Sequence, residues 1–237
     1  MRKENNKSSA ASADSDANAK SGGDASLTAP TEEEAEEINM SPQYTKWMEF
    51  NASLAHPSDP VVFLDIESDS VSCGRIIIDL MVAAVPQTTE NFKQLCAGAL
   101  TLPVNGAQIE YGYRGTNFDR IVKDKYIKGG KIEEVLGCKS LYGDYFADEN
   151  FSVAHDAPGI VSMFNDGIPD HNGTEFMITT KECPDLNGVN VAFGKVIRGF
   201  EVLEKICQIP TNEQGEPTKK IKISNSGMIS YYNFDDK

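Results

Sequence analysis

From residue 60 onward the chain alternates short runs rich in Val and Ile with polar turns. Residues 61–67 and 74–80 are two such runs, joined by a Ser- and Asp-rich turn, which predicts a pair of strands. Pro86 then opens a stretch in which Phe92, Leu95, Cys96 and Ala99 share one helical face, and Gly98 suits its C-terminal end. Further strand-like runs cover 116–121, 126–131, 159–163, 176–179 and 191–196. A second helix is predicted over about 199–206, and a last strand over 220–226. Many short strands with only two longer helices predict a closed β-barrel.

The first 59 residues have a different texture. Residues 1–40 hold only Met1, Leu27, Ile38 and Met40 as large apolar side chains, with nine acidic residues against four basic ones. Too little can be buried there to offset the entropy of ordering, so a disordered acidic tail is expected. Residues 41–59 read as a short helix and linker. Ser41 can cap, Pro42 fits the first turn, and Tyr44, Trp47, Met48 and Leu54 recur at roughly helical spacing. Two uses of that helix stand open: packing on its own domain, or docking into a partner. The organisation expected is therefore a tail at 1–40, a helix and linker at 41–59, a barrel domain at 60–228 and a tail at 229–237.

Composition narrows the function. The chain has 237 residues, of which 40% are apolar, enough for a real core. Its 22 basic residues face 36 acidic ones, a net charge of −14. That balance argues against nucleic acid or an anionic membrane as the main partner, because neutralising phosphate needs a basic face. No apolar run is long enough for a bilayer-spanning helix, and the basic start leads into no apolar stretch of a secretory signal. Cys73, Cys96, Cys138, Cys183 and Cys207 are widely spaced without C-x-x-C, and the three histidines form no ligand spacing. Reduced cysteines in a cytoplasmic or nuclear setting are the expectation, with no metal site.

Several segments then read together. They run from Val62-Phe63-Leu64-Asp65-Ile66 and Gly74-Arg75-Ile76 to Val85-Pro86-Gln87-Thr88-Thr89-Glu90-Asn91-Phe92 and Phe118-Asp119-Arg120-Ile121-Val122. Gly129-Gly130, Tyr142-Gly143, Phe146-Ala147-Asp148-Glu149-Asn150-Phe151 and Pro158-Gly159-Ile160-Val161-Ser162-Met163 follow in order. The series ends with Asn172-Gly173-Thr174-Glu175-Phe176 and Val191-Ala192-Phe193-Gly194-Lys195-Val196. Over residues 60–228 this closely resembles the cyclophilins, peptidyl-prolyl cis-trans isomerases. The resemblance implies a mainly β fold, an eight-stranded antiparallel barrel capped by two α-helices, and proline-containing polypeptide segments as ligands. A longer loop at 100–111 is similar to that of divergent members, some associated with cilia.

An X-Pro bond switches isomer over a barrier of about 18–20 kcal/mol, because amide resonance makes it partly double. Lowering it requires no nucleophile, metal or cofactor, so none is expected. It requires an apolar hole for the proline ring, groups that grip the flanking backbone, and a cation that favours the twisted amide over either planar form. The resemblance places the family's catalytic arginine on Arg120, whose guanidinium stays charged at physiological pH. It places substrate contacts on Tyr126, Lys128, Asn165, Glu175, Met177, Leu186 and Asn190.

Several of these positions depart from the family pattern. Lys125, Tyr126 and Lys128 stand where the family has phenylalanine, methionine and glutamine. Glu175 replaces a glutamine, Met177 replaces the phenylalanine that floors the hole, and Asn190 replaces a histidine. Phe164 takes the place of a small residue before Asn165, which narrows the approach. Asp185 replaces a rim aromatic, which argues against cyclosporin binding. Lys125 would be costly beside a proline ring unless its ammonium reaches water. Lys128 and Glu175, both neutral glutamines in active members, suggest an ion pair in which Glu175 also competes for Arg120. The alternative is that both point independently to solvent. Two functions remain open at this stage: a binder of proline-containing segments with weak or absent isomerisation, and a fully working isomerase. Assembly contacts through 41–56 and 100–111 are a further expectation.

Overall fold

A computed structural model describes residues 59–105, 107–133 and 137–230, together with Thr45 and Glu49. All of these belong to the unit Pro42–Lys237. The expected tail at 1–40, most of the 41–59 segment and residues 231–237 lie outside the described residues.

Eight strands close into a barrel. They are β1 (Val61–Ser68), β2 (Val71–Leu80), β5 (Asn117–Val122), β6 (Tyr126–Gly129), β7 (Ile160–Met163), β8 (Phe176–Thr179), β9 (Ala192–Arg198) and β10 (Ile221–Ile229). The order around the wall is β1-β10-β5-β6-β8-β7-β9-β2, and every neighbouring pair is antiparallel. Strand alternation decides which side chains fill it. Val62, Leu64 and Ile66 of β1 and Ile76, Ile78 and Leu80 of β2 point inward and belong to the main core, while Phe63, Asp65 and Arg75 point outward. A one-residue slip would turn each inward set out to water, so burial of these side chains, worth about 1.5–3 kcal/mol apiece, pins the register.

Helix α1 (Pro86–Ala97) and helix α2 (Phe200–Cys207) add Phe92, Leu95, Val202, Leu203 and Ile206 to the same core. Pro86 starts α1, and Gly98 ends it at φ 65°, a left-handed conformation that glycine adopts without a Cβ penalty. The Glu149 carboxylate accepts the Gln87 and Thr88 N–H groups at 3.0 and 2.9 Å, supplying the acceptors that the first turn of α1 lacks. Asn91 donates to the Gly173 carbonyl and accepts from the Leu141 N–H. Those motif residues therefore hold the 140–151 loop against α1. Gly199 precedes α2 at φ 92°, where a Cβ would lie 2.2 Å from the Arg75 carbonyl oxygen.

The 100–111 segment is a correction. It is not a loop but a two-stranded hairpin, β3 (Leu100–Val104) and β4 (Ala107–Tyr111), separate from the barrel. Leu100 and Leu102 pack on the core, the Tyr111 hydroxyl donates to the Cys138 carbonyl, and Asn105 turns the chain at φ 50°. The Asn105-Gly106 dipeptide between alternating residues is a hairpin signal, masked by Pro103 within the first strand. Pro184–Leu186 forms a short 3-10 helix that the pattern also did not predict.

Candidate functional site

The site is a row of side chains on the outer wall of the barrel. Arg120 of β5 pairs with Lys128 of β6, Lys128 with Met177 of β8, and Met177 with Ser162 of β7. Directly paired residues share a face, so the ladder alone brings the four side together across four strands. A bulge between Phe118 and Arg120 adds Asp119 to β5 as an extra residue beside this row.

Lys128 is the centre of the electrostatics. Its side chain is only 10% exposed, and its Nζ lies 2.5 Å from Glu175 Oε1 and 3.4 Å from Asp119 Oδ1. The same ammonium sits 4.7 Å from the centre of the Phe164 ring. Two carboxylates and an aromatic face thus offset the loss of water around a mostly buried cation. Arg120 is exposed, and among the described residues no carboxylate lies within 4 Å of its guanidinium. The expected competition of Glu175 for Arg120 is therefore absent: the carboxylate is held by Lys128 instead, because the ladder sets Lys128 opposite Arg120 and nearer β8.

The apolar part of the site is nearly closed. Met177 is 1% exposed and Leu186 8% exposed, with Cys183 in the same cluster and Tyr126 and Phe164 packed against it. The Tyr126 and Phe164 rings lie 6.4 Å apart. Lys125 avoids the hole, as its chemistry requires: its ammonium pairs with Asp185 at 2.5 Å, both partners substantially exposed. That hydrogen bond holds the Asp185 carboxyl below its ordinary range and raises the Lys125 ammonium. Asp185, at the rim, is thereby occupied.

Asn165 and Asn190 serve each other. Asn190 Nδ2 donates to Asn165 Oδ1 at 2.9 Å and to the Met163 carbonyl at 3.0 Å. Asn165 Nδ2 donates to the Val189 carbonyl, and its Oδ1 also accepts from the Gly167 N–H. Both residues are buried, and these amide bonds shape the 165–190 rim. A cavity of about 360 Å³ opens beside Glu175 and Phe164, lined also by Lys131, Cys138, Tyr145 and His171.

Sequence reasoning missed Asp119 as the second partner of Lys128, and the His155–Ser162 contact beside Met177. Asp119 was visible next to Arg120 in the motif; the other two are joined only by the fold. His155 is fully buried. Asn187 Oδ1 accepts from the His155 backbone N–H at 2.8 Å and therefore also from Nδ1–H at 3.0 Å, leaving Nε2 to accept from the Ser162 hydroxyl at 2.9 Å. Burial lowers the His155 pKa, against smaller raising effects from Asn187, Asp185 and Asp156. The unfolded chain then binds the proton more readily, so stability is full above about pH 6.5 and falls as pH drops through the lower folded value. His155→Gln is expected to flatten that acid-side fall in denaturation midpoints measured against pH; an unchanged profile would remove His155 as its source.

Among the described residues no group of three or more His, Cys, Asp and Glu side chains could hold a metal ion, and no helix is long and apolar enough to cross a membrane. Comparison with known proteins completes the picture. Residues 63–228 match the family model described as cyclophilin type peptidyl-prolyl cis-trans isomerase/CLD. The chain is 35% identical over 187 residues to peptidyl-prolyl cis-trans isomerase 11 of Caenorhabditis elegans, covering 78% of this chain and all of that protein. It is 42% and 40% identical over 171 residues to peptidyl-prolyl cis-trans isomerase 9 of Caenorhabditis elegans and of Caenorhabditis briggsae, covering 71% of this chain and 54% of each of them. With the closed eight-stranded barrel, its two capping helices and this match over the whole barrel, the chain belongs to the cyclophilin-type peptidyl-prolyl cis-trans isomerase family.

Proposed function

We propose that this cyclophilin binds proline-containing polypeptide segments on the β5–β6–β8–β7 wall and isomerises them weakly or not at all. The observation that carries this is the closed hole. Met177, which would floor it, is 1% exposed, with Tyr126 and Phe164 packed against the cluster it forms with Cys183 and Leu186. A proline ring reaches Met177 only if Phe164 moves, and that displacement is subtracted from the binding energy available to favour the twisted amide. Arg120 would supply the cation, Tyr126 and Leu186 the apolar grip, and the Asn165–Asn190 pair the fixed rim.

A fully working isomerase is the second reading. The exposed Arg120 guanidinium, free of carboxylates among the described residues, favours it. Phe164→Ala discriminates between the two. Titration with a short Ala-Pro peptide, followed through the Met177 methyl resonance, is expected to show tighter binding to Phe164→Ala than to the parent chain. Equal binding by both would mean that Phe164 does not obstruct the hole, and the closed-hole reading would fall.

A further inference from the structure

The wall opposite the site carries apolar side chains that ought to face water and do not. Val61 opens β1 next to the inward Val62, and Ile77 lies between the inward Ile76 and Ile78, so both point out of the barrel. Yet they are only 5% and 6% exposed. Val61 pairs with Ile229 of β10, and Ile77 pairs with Arg198 of β9, beside Ile197. Among the described residues the partly buried hydrophobics packed on the pair are Ile197 and Ile229, while Phe63 and Asp79 stand beside it on the neighbouring strands. Neighbours side by side on one sheet face shield flanks, not tops. Phe63, on the same face, has a visible cover, because the Arg75 guanidinium lies 4.1 Å over its ring. The two helices are committed to the main core through Phe92, Leu95, Val202 and Ile206. The cover over Val61 and Ile77 has to come from elsewhere in the chain.

We propose that this patch is the seat of the chain's own 41–56 segment. Thr45 and Glu49 are helical and both exposed, which fixes the solvent-facing side of that helix. At 3.6 residues per turn, a helix continued to residue 54 sets Trp47 and Leu54 within about 20° of the opposite direction, and Tyr44 and Phe50 within about 60°. The side turned from water is thus the apolar one. The tether is short. Four residues separate position 56 from Val61, a reach of at most ~18 Å, so seating the segment next to β1 costs little loop entropy. Because β10, β1, β2 and β9 form the half of the barrel away from β5, β6, β8 and β7, the seated segment leaves the site uncovered.

Trp47 is the only tryptophan of the chain, so its emission reports the segment alone. In the full chain it is expected to emit blue-shifted light protected from acrylamide. Ile77→Lys is expected to shift that emission red and raise quenching several-fold, with far-UV circular dichroism preserved. A parent Trp47 that emits as an exposed indole overturns the proposal, as does protection that survives Ile77→Lys. Protection lost on dilution from dimer to monomer would assign the seat to a second copy instead. Should Ile77→Lys fail to fold, NOEs in the parent chain decide. Contacts from the Trp47 indole to the Ile77 and Ile229 methyls support the proposal, whereas contacts from Tyr232 or Phe234 in their place refute it.

Discussion

Glu175→Gln is expected to lower stability by about 1–3 kcal/mol, and adding Lys128→Gln to recover most of that loss. The reason is the burial of Lys128. With the Glu175 contact gone, a cation 10% exposed keeps only Asp119 at 3.4 Å and the Phe164 ring at 4.7 Å. Leaving one charge without its partner is worse than removing both. Chemical denaturation of the two single variants and the double variant measures this, and a coupling near zero would show that the contact contributes nothing. The cycle also bears on catalysis. Glu175→Gln alone leaves Lys128 charged and directly opposite Arg120 on the ladder, so it is not expected to raise isomerisation. The double variant, neutral at both positions, is the one in which exchange should rise.

Phe176→Ala is expected to cost more, roughly 3–5 kcal/mol, with a melting temperature lower by about 6–20 °C. Phe176 is fully buried, and its ring meets those of Phe92, Tyr113 and Phe118 at centroid distances of 5.0, 5.1 and 5.7 Å, all edge-on. Because β8 alternates, the residue that anchors α1 and β5 to the barrel lies between Glu175 and Met177, which face the site. A loss below 1 kcal/mol would mean that the cluster collapses freely around the gap, and that the site is not built on a rigid strand.

The barrel was legible because its signal is local. Runs such as 74–80 and 176–179 show their strand character within a few residues, and Pro86 and Gly98 mark both ends of α1. The hairpin was not, since Pro103 contradicts a strand in isolation and only packing of Leu100 and Leu102 on the core outweighs it. In the site, the resemblance gave Arg120 its position and residue types gave the altered charges. The partners of those charges were legible only in part. The Lys128–Glu175 ion pair was foreshadowed by the two residue types and is present, but Asp185 as the partner of Lys125 and Asp119 as the second partner of Lys128 are set by the fold and by one bulge, which no residue announces in sequence. The His155–Ser162–Asn187 linkage depends likewise on a loop returning to β7.

On the function proposed above, the wall grips proline-containing segments without efficient turnover. The measurement that tests it most directly is cis/trans exchange in a short Ala-Pro peptide by NMR, with binding read from the same spectra, for the parent chain and Arg120→Ala. Peptide shifts are expected to establish binding by the parent, with exchange barely above that of the free peptide and little further change in Arg120→Ala. Strong acceleration by the parent that is lost in Arg120→Ala would contradict that function and establish a working isomerase.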